Sequence, residues 1–326
     1  MKIAITGATG RIGNVLVRRL VEEGHELRVL VRRESRSLAG LPLQQVQGDV
    51  LDSAALAELA RGCEMLFHLA ALISIQGGMN GLVRRTNMDG TRKVLEISLQ
   101  EGIRRVAYFS TFHVFSESPA DESLDETRPL AFRHRMAYTQ TKAEALDFAL
   151  RFSRENDLEI VALCPTGVLG PFDYEPSPSG RMLLDFYNRK IPMLVPGGVD
   201  WVDVRDVAEA AVAAMQKGRS GEAYILSGRY ASVSELARLI GDITGKSVPK
   251  YLAPNWLLRV GLPFVEAYSK ITATPPPYTG EALDTLRNGA KFVSSEKAQR
   301  ELGYKTRPLE DTIADAYKWF EQNGYL

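Results

Sequence analysis

The chain has 326 residues, with forty basic and forty acidic side chains, so no net field recruits nucleic acid or an anionic membrane. Apolar residues make up 45% and charged residues 25%, the balance of a globular protein with one large core or two modest ones. Two cysteines without metal spacing, Cys63 and Cys164, read as buried thiols of a reducing compartment; no leader or membrane-spanning run is expected, which points to the cytoplasm.

Residues 2–6 are a short apolar run with Ile3, Ile5 and Thr6, and they read as a buried strand. Gly7-Ala8-Thr9-Gly10-Arg11-Ile12-Gly13 follows at once, and residues 14–23 carry helical spacing. Strand, glycine turn and helix in succession form a phosphate site: the glycines permit a tight turn, and the helix N-terminus offers free N–H groups and a positive dipole end to a pyrophosphate. The glycines here stand three apart, a departure from G-x-G-x-x-G. Their place behind the first strand supplies the context that the fingerprint requires.

Residues 26–31 read as a second strand that runs into Arg32-Arg33-Glu34. At this strand end an acid accepts the 2′-hydroxyl of NAD, whereas arginine holds the 2′-phosphate of NADP. Arg32 and Arg33 therefore favour NADP over NAD, the alternative being that both are simply solvated. Strands follow at 43–47, 65–71, 105–110 and 159–163, with helices at 51–61, 88–101 and 138–155. That alternation predicts an α/β, doubly wound parallel sheet of Rossmann type over residues 1–165.

After Pro165 the texture changes, with Gly- and Pro-rich stretches at 167–178 and 273–280. Residues 166–326 read as a smaller α/β substrate domain with strands at 193–195, 201–204 and 223–226 and a helix at 207–216. Elements from about 201–226 are expected to return to the main sheet. Residues 255–268 are unusually apolar and read as an ordinary packed segment, with a pocket lid, a dimer surface and a membrane-surface helix as alternatives.

Tyr138 and Lys142 lie one helical turn apart on the same face. A nearby cation stabilises phenolate and so is expected to lower the tyrosine pKa toward a range useful for proton transfer. The preceding strand ends in Phe109-Ser110-Thr111, which brings hydroxyls to the carboxyl edge of the sheet, where ligands of such folds bind.

The glycine turn, Gly48-Asp49-Val50, His68-Leu69-Ala70-Ala71, Asn87-Met88-Asp89-Gly90-Thr91, Phe109-Ser110-Thr111 and Tyr138-x-x-x-Lys142 together resemble the extended short-chain dehydrogenases/reductases, the NAD-dependent epimerase/dehydratase superfamily. The likeness continues through 164–171, 202–208 and 294–304. Within the superfamily the chain looks most like the dihydroflavonol-reductase-like and hopanoid-associated sugar-epimerase-like branch.

This resemblance implies that Tyr138 is the general acid/base, that Lys142 holds the nicotinamide ribose, and that Thr111, with Ser110 beside it, hydrogen-bonds the substrate oxygen. Cofactor positions would be Gly7, Thr9, Gly10, Arg11, Ile12 and Gly13 at the phosphates, with Asp49 and Val50 at the adenine. Leu69, Ala70 and Ala71 would flank the cofactor's middle, and Pro165 and Val168 the nicotinamide amide. Asn87 would be either a helix cap or a relay residue. A homodimer through helices 88–101 and 138–155 is also implied.

Sugar-nucleotide dehydratases carry Asp-Glu directly after the threonine, where this chain has Phe112-His113, so dehydration is not expected. Leu72, Ile73, Phe112, Phe115, Phe172 and Met182 are candidates for an apolar pocket, with His113 beside it. The leading expectation is an NADP(H)-dependent oxidoreductase of a carbonyl or hydroxyl on a fairly apolar small molecule. The alternatives are a nucleotide-sugar epimerase, in which Arg181 would meet a diphosphate, and a non-catalytic NADP(H) sensor. No motif has metal-ligand spacing.

Overall fold

The structure, a computed structural model, describes residues 1–74, 78–119, 121–254, 286 and 289–326. Among the described residues ten strands run in chain order: β1 (Lys2–Thr6), β2 (Glu26–Val31), β3 (Leu43–Gln47), β4 (Met65–His68), β5 (Arg105–Phe109), β6 (Glu159–Pro165), β7 (Gly167–Leu169), β8 (Gly198–Asp203), β9 (Glu222–Leu226) and β10 (Arg229–Ser232). Seven of them form one parallel sheet in the order β3-β2-β1-β4-β5-β6-β9. Its inner strands are near-continuous apolar runs because helices cover both faces. The edge strand β3 instead exposes Gln44, Gln45 and Gln47, polar side chains that blunt an edge.

The helices are α1 (Arg11–Glu22), α2 (Ser53–Ala60), α3 (Leu82–Arg84), α4 (Gly90–Gln100), α5 (Ala137–Glu155), α6 (Pro178–Tyr187), α7 (Val204–Lys217), α8 (Val233–Thr244), α9 (Glu296–Leu302) and α10 (Leu309–Gln322). On one face of the sheet α2, α4 and α5 bury Leu56, Leu59, Val94, Leu95 and Leu146. On the other, α1 and α7 bury Leu16, Leu20, Val207 and Ala211. A third core, built from Leu183, Phe186, Leu236, Ile240, Ile313 and Phe320, packs α6, α8 and α10 beside a second sheet. That sheet has the order β10-β8-β7.

Several local expectations differ from the structure. The helix expected from residue 88 starts earlier, at Leu82, and passes through a wide turn of π-helix, Arg85–Asp89, before α4. The strand expected at 193–195 is reduced to one bridge, Leu194 to Leu252. Of the stretch 201–226, α7 and β9 lie on the main sheet, whereas β8 pairs Trp201 with Arg229 of β10 and Gly167 of β7. Alternation marks a strand but does not say which sheet will accept it. The segments 255–268 and 273–280 lie outside the described residues.

Strand order reverses between β1 and β4, and at that switch point ligands enter the crevice of an open α/β sheet. The glycine turn is cut to fit there. Gly7 has φ +75°, and a Cβ on it would lie 2.6 Å from the Ala70 nitrogen beyond β4. A Cβ on Gly13 would lie 2.1 Å from the Gly7 carbonyl oxygen, where nothing but backbone is available to move. Gly13→Ala is therefore expected to destabilise the fold by about 1–3 kcal/mol through overpacking and to open the turn, read as a lower urea midpoint and weakened dinucleotide binding.

Candidate active site

The crevice begins at the glycine turn. Gly10 caps α1 without any side-chain hydrogen bond, so the first N–H groups of the helix keep their capacity for an anion. A narrow turn that lacks Cβ atoms at Gly7, Gly10 and Gly13, leading into an uncapped helix end, fits the pyrophosphate of a dinucleotide. Asp49 accepts from the Leu51 N–H at 3.0 Å, and buried Val50 packs so closely under Gly90 that a Cβ there would meet it at 2.9 Å. Arg32 and Arg33 are both exposed beyond β2; Arg33 reaches Glu175 at 3.2 Å.

Arg11 turns away from the turn that carries it. Its Nη1 donates to the Val168 carbonyl at 2.7 Å, to Ser177 Oγ at 3.0 Å and to Ser179 Oγ at 2.7 Å. Nη2 donates to the Gly170 carbonyl at 3.3 Å, and Asp173 lies 3.8 Å away. Asn14 acts in parallel, donating to the Phe172 carbonyl at 3.1 Å. Both residues bind the first turn of α1 to the segment between β7 and α6. The expected phosphate-side position of Arg11 is thus spent on a buried clamp between two parts of the chain.

At the neighbouring strand ends, the Thr111 hydroxyl lies beside the Tyr138 phenol. Tyr138 stands in the first turn of α5 and Lys142 one turn on. The Lys142 side chain is buried; its Nζ donates to the Phe109 carbonyl at 2.5 Å and lies 4.5 Å from the centre of the Tyr108 ring. Burial pulls this ammonium down to about 7. The Tyr138 phenol is pushed up to about 12, by burial first and then by Cys164, with the Thr111 hydroxyl opposing. The sequence expectation of a lowered phenol is therefore reversed, because loss of hydration at the phenol outweighs a lysine whose charge is directed at Phe109 and Tyr108. Ser110 is also buried, beside the Cys164 thiol and Tyr108.

Two polar networks brace this edge. Asn87 Oδ1 accepts from the Leu72 N–H at 2.7 Å, and its Nδ2 donates to the Leu72 carbonyl at 3.0 Å and to Thr141 Oγ1 at 3.4 Å. It sits inside the wide helical turn, so it caps no helix; it fixes the loop after β4 to α5. His68 sits between two threonines. Thr91 Oγ1 donates to the Asn87 carbonyl at 2.7 Å, so it accepts from His68 Nε2–H at 3.0 Å. Nδ1 then accepts the Thr6 hydroxyl at 2.7 Å. Burial holds this imidazole neutral, down at about 3.

The stretch leaving Thr111 and the stretch leading to α5 line an open cleft of about 710 Å³, to which Thr111, Tyr138 and Lys142 themselves contribute no wall. Phe115, Pro129, Leu130 and Phe132 supply apolar walls, and His113 and His134 polar ones. His113 Nδ1 lies 2.7 Å from Glu117. Of the six apolar pocket residues expected, Phe115 lines this cleft and the other five lie elsewhere. Phe112 is core, its ring 4.0 Å from that of His113. Phe172 packs 6.1 Å from Trp319 and beneath Arg18, because its left-handed backbone (φ 64°) turns the ring toward α1 and α10. Leu72 is half-buried at the Asn87 contact, Met182 packs against the third core, and Ile73 and Arg181 are exposed.

A family model described as the NAD dependent epimerase/dehydratase family matches residues 3–227. The chain belongs to that family. It is an enzyme of the extended short-chain type, an NAD(P)-dependent oxidoreductase. A putative dihydroflavonol 4-reductase of Synechocystis is 33% identical, covering 99% of this chain and 95% of its own. Sterol demethylase protein B of Methylococcus capsulatus is 31% identical over the whole of both chains. The crystal structure of gox2253 superposes with a TM-score of 0.85 at 31% identity, covering 100% of this chain and 99% of that one.

The structure thus brings the expected site residues Thr111, Tyr138, Lys142, Ser110 and Asn87 together near one sheet edge, with Pro165 and Val168 on β6 and β7. Sequence reading left His68, Thr6 and Thr91 without a role, and no local signal in them announces a shared hydrogen-bond chain. Arg11→Met should cost about 2–4 kcal/mol of unfolding free energy, since it removes hydrogen bonds to a charged group and leaves Asp173 buried without its cation. Urea unfolding measures this, and a change below 1 kcal/mol would contradict the clamp.

Proposed function

We propose that this enzyme transfers a hydride between NADP(H) and a carbonyl or hydroxyl carbon of a small, fairly apolar molecule, with Tyr138 as the acid/base. The observation that carries this reading is the placement of the Tyr138 phenol beside the Thr111 hydroxyl at the carboxyl edge of the sheet. Buried Lys142 stands one turn away, and the chain stretches that follow Thr111 and precede α5 line an open cleft with apolar walls. When bound, the nicotinamide supplies the hydride chemistry.

The rest falls to the chain. Thr111 holds the substrate oxygen against Tyr138. Tyr138, kept protonated at neutral pH by its burial, delivers a proton as that oxygen gains charge on reduction. Acid–base help of this kind is worth about a hundred- to ten-thousandfold in rate. Lys142 would hold the nicotinamide ribose, and the cleft, within the range of about 300–1,000 Å³ of small-molecule sites, would exclude water from the apolar body of the substrate. The names of the two full-length relatives, a dihydroflavonol reductase and a sterol demethylase component, support a polycyclic or similarly apolar substrate.

Arg32 and Arg33 are the proposed holders of the 2′-phosphate, both free of burial at the end of β2. The half-buried Phe148 and Phe152 on α5 support a homodimer through α4 and α5, and the reading as a whole suits a cytoplasmic enzyme. Among the described residues no helix is long and apolar enough to cross a membrane.

Tyr138→Phe is expected to lower carbonyl reduction, followed at the nicotinamide absorbance, by about a hundredfold or more while NADPH affinity stays within a few-fold. Unchanged turnover would remove Tyr138 from the mechanism. Arg32→Ala together with Arg33→Ala should erase any preference for NADPH over NADH in kcat/KM; a retained preference would place the 2′-phosphate elsewhere.

A further inference from the structure

Register places Thr6, His68 and Tyr108 in one row across β1, β4 and β5, with Ala162 of β6 next to Tyr108. The Tyr108 ring stacks near His68, with centroids 5.8 Å apart and planes 28° apart. The small Ala162 leaves the ring room on its other side. The Lys142 ammonium lies over the ring at 4.5 Å from its centre, while donating to the Phe109 carbonyl. Both side chains are fully or almost fully buried, Tyr108 at 0% and Lys142 at 2% exposure.

A buried ammonium needs compensation for lost water. The groups that face Lys142 are Tyr108 and the Phe109 carbonyl on β5, neutral His68 on β4, Cys164 on β6 and Tyr138 one turn back on α5. None is a carboxylate, and the Cys164 thiol, pushed up to about 12 by burial, is uncharged at neutral pH. One carbonyl and one aromatic face are therefore the principal compensation. A desolvated ring–ammonium contact is among the strongest of its kind.

We propose that Tyr108 is a positioning residue for Lys142, its π face holding the ammonium charged and fixed against the Phe109 carbonyl. The neutral state of His68 is part of the same arrangement, because an imidazolium beside the ring would repel the lysine. That Tyr108 thereby serves hydride transfer rests on the role proposed above for Lys142; the ring–ammonium contact does not.

The test is a pH titration of the full chain labelled with 13Cε-lysine, following the Lys142 resonance identified by its loss in Lys142→Met. The wild type and Tyr108→Phe, which keeps the ring face, should titrate together. Tyr108→Leu, and the chain with pentafluorophenylalanine at 108, should titrate about one pH unit lower, as expected for losing a desolvated cation–π contact. The fluorinated ring keeps nearly the same shape, so it carries the test even if Tyr108→Leu does not fold. A fluorinated protein that titrates with the wild type would overturn the proposal, as would an equal fall in Tyr108→Phe, which would assign the effect to the phenol hydroxyl. Since no turnover is measured, failure of the proposed reaction would leave this result standing.

Discussion

The constraint on which the crevice depends is backbone against backbone at the switch point of the sheet. Gly7 presses on the chain at Ala70, and Gly13 presses on the Gly7 carbonyl. With side chains at either place, β1, β4 and α1 could not meet at their present distances. Because those three elements set the crevice, the placement of everything around it follows from two missing Cβ atoms. The third glycine is looser: a Cβ on Gly10 would meet only the Gly7 oxygen, at 3.3 Å, so its place is dictated by the open helix end and less by packing.

This explains why the first half of the chain is readable in sequence. Gly13 answers to the Gly7 carbonyl a few residues before it, Gly7 to its own positive φ as well as to Ala70, and the strands around them must be apolar on both faces. Strand and helix therefore leave separate marks, and the alternation gives away a parallel sheet. The second half obeys constraints that are not local. β7 and β10 are three- and four-residue strands that exist because β8 lies between them. The bend at Phe172 depends on Trp319, almost 150 positions away, and on Arg18 in α1. No window of sequence contains both ends of such a contact.

Arg11 is the instructive case at the site itself. Its neighbours in the motif are shaped by the cofactor-binding turn, so a sequence reading gives it to the phosphates. Its guanidinium instead finds Val168, Gly170, Ser177 and Ser179 within reach. A guanidinium has five donors in a fixed fork, and a buried segment rich in carbonyls and hydroxyls can satisfy most of them. The effect is that the glycine turn and the segment leading to α6 are tied together directly at the first turn of α1.

The electrostatics of the opposite wall follow a similar economy. Lys142 carries the principal buried cationic group at the strand ends, and its surroundings are tuned by what they lack. A carboxylate beside it would secure the ammonium but would also neutralise its field at Tyr138, two partners competing for one charge. A carbonyl and an aromatic face satisfy it without adding a formal negative charge. His68 could have spoiled this, standing in the same row of side chains. The threonines on its two sides take one ring nitrogen as donor and the other as acceptor, a pairing that only the neutral ring can satisfy, and so a second cation is kept out of a place where it could not be hydrated.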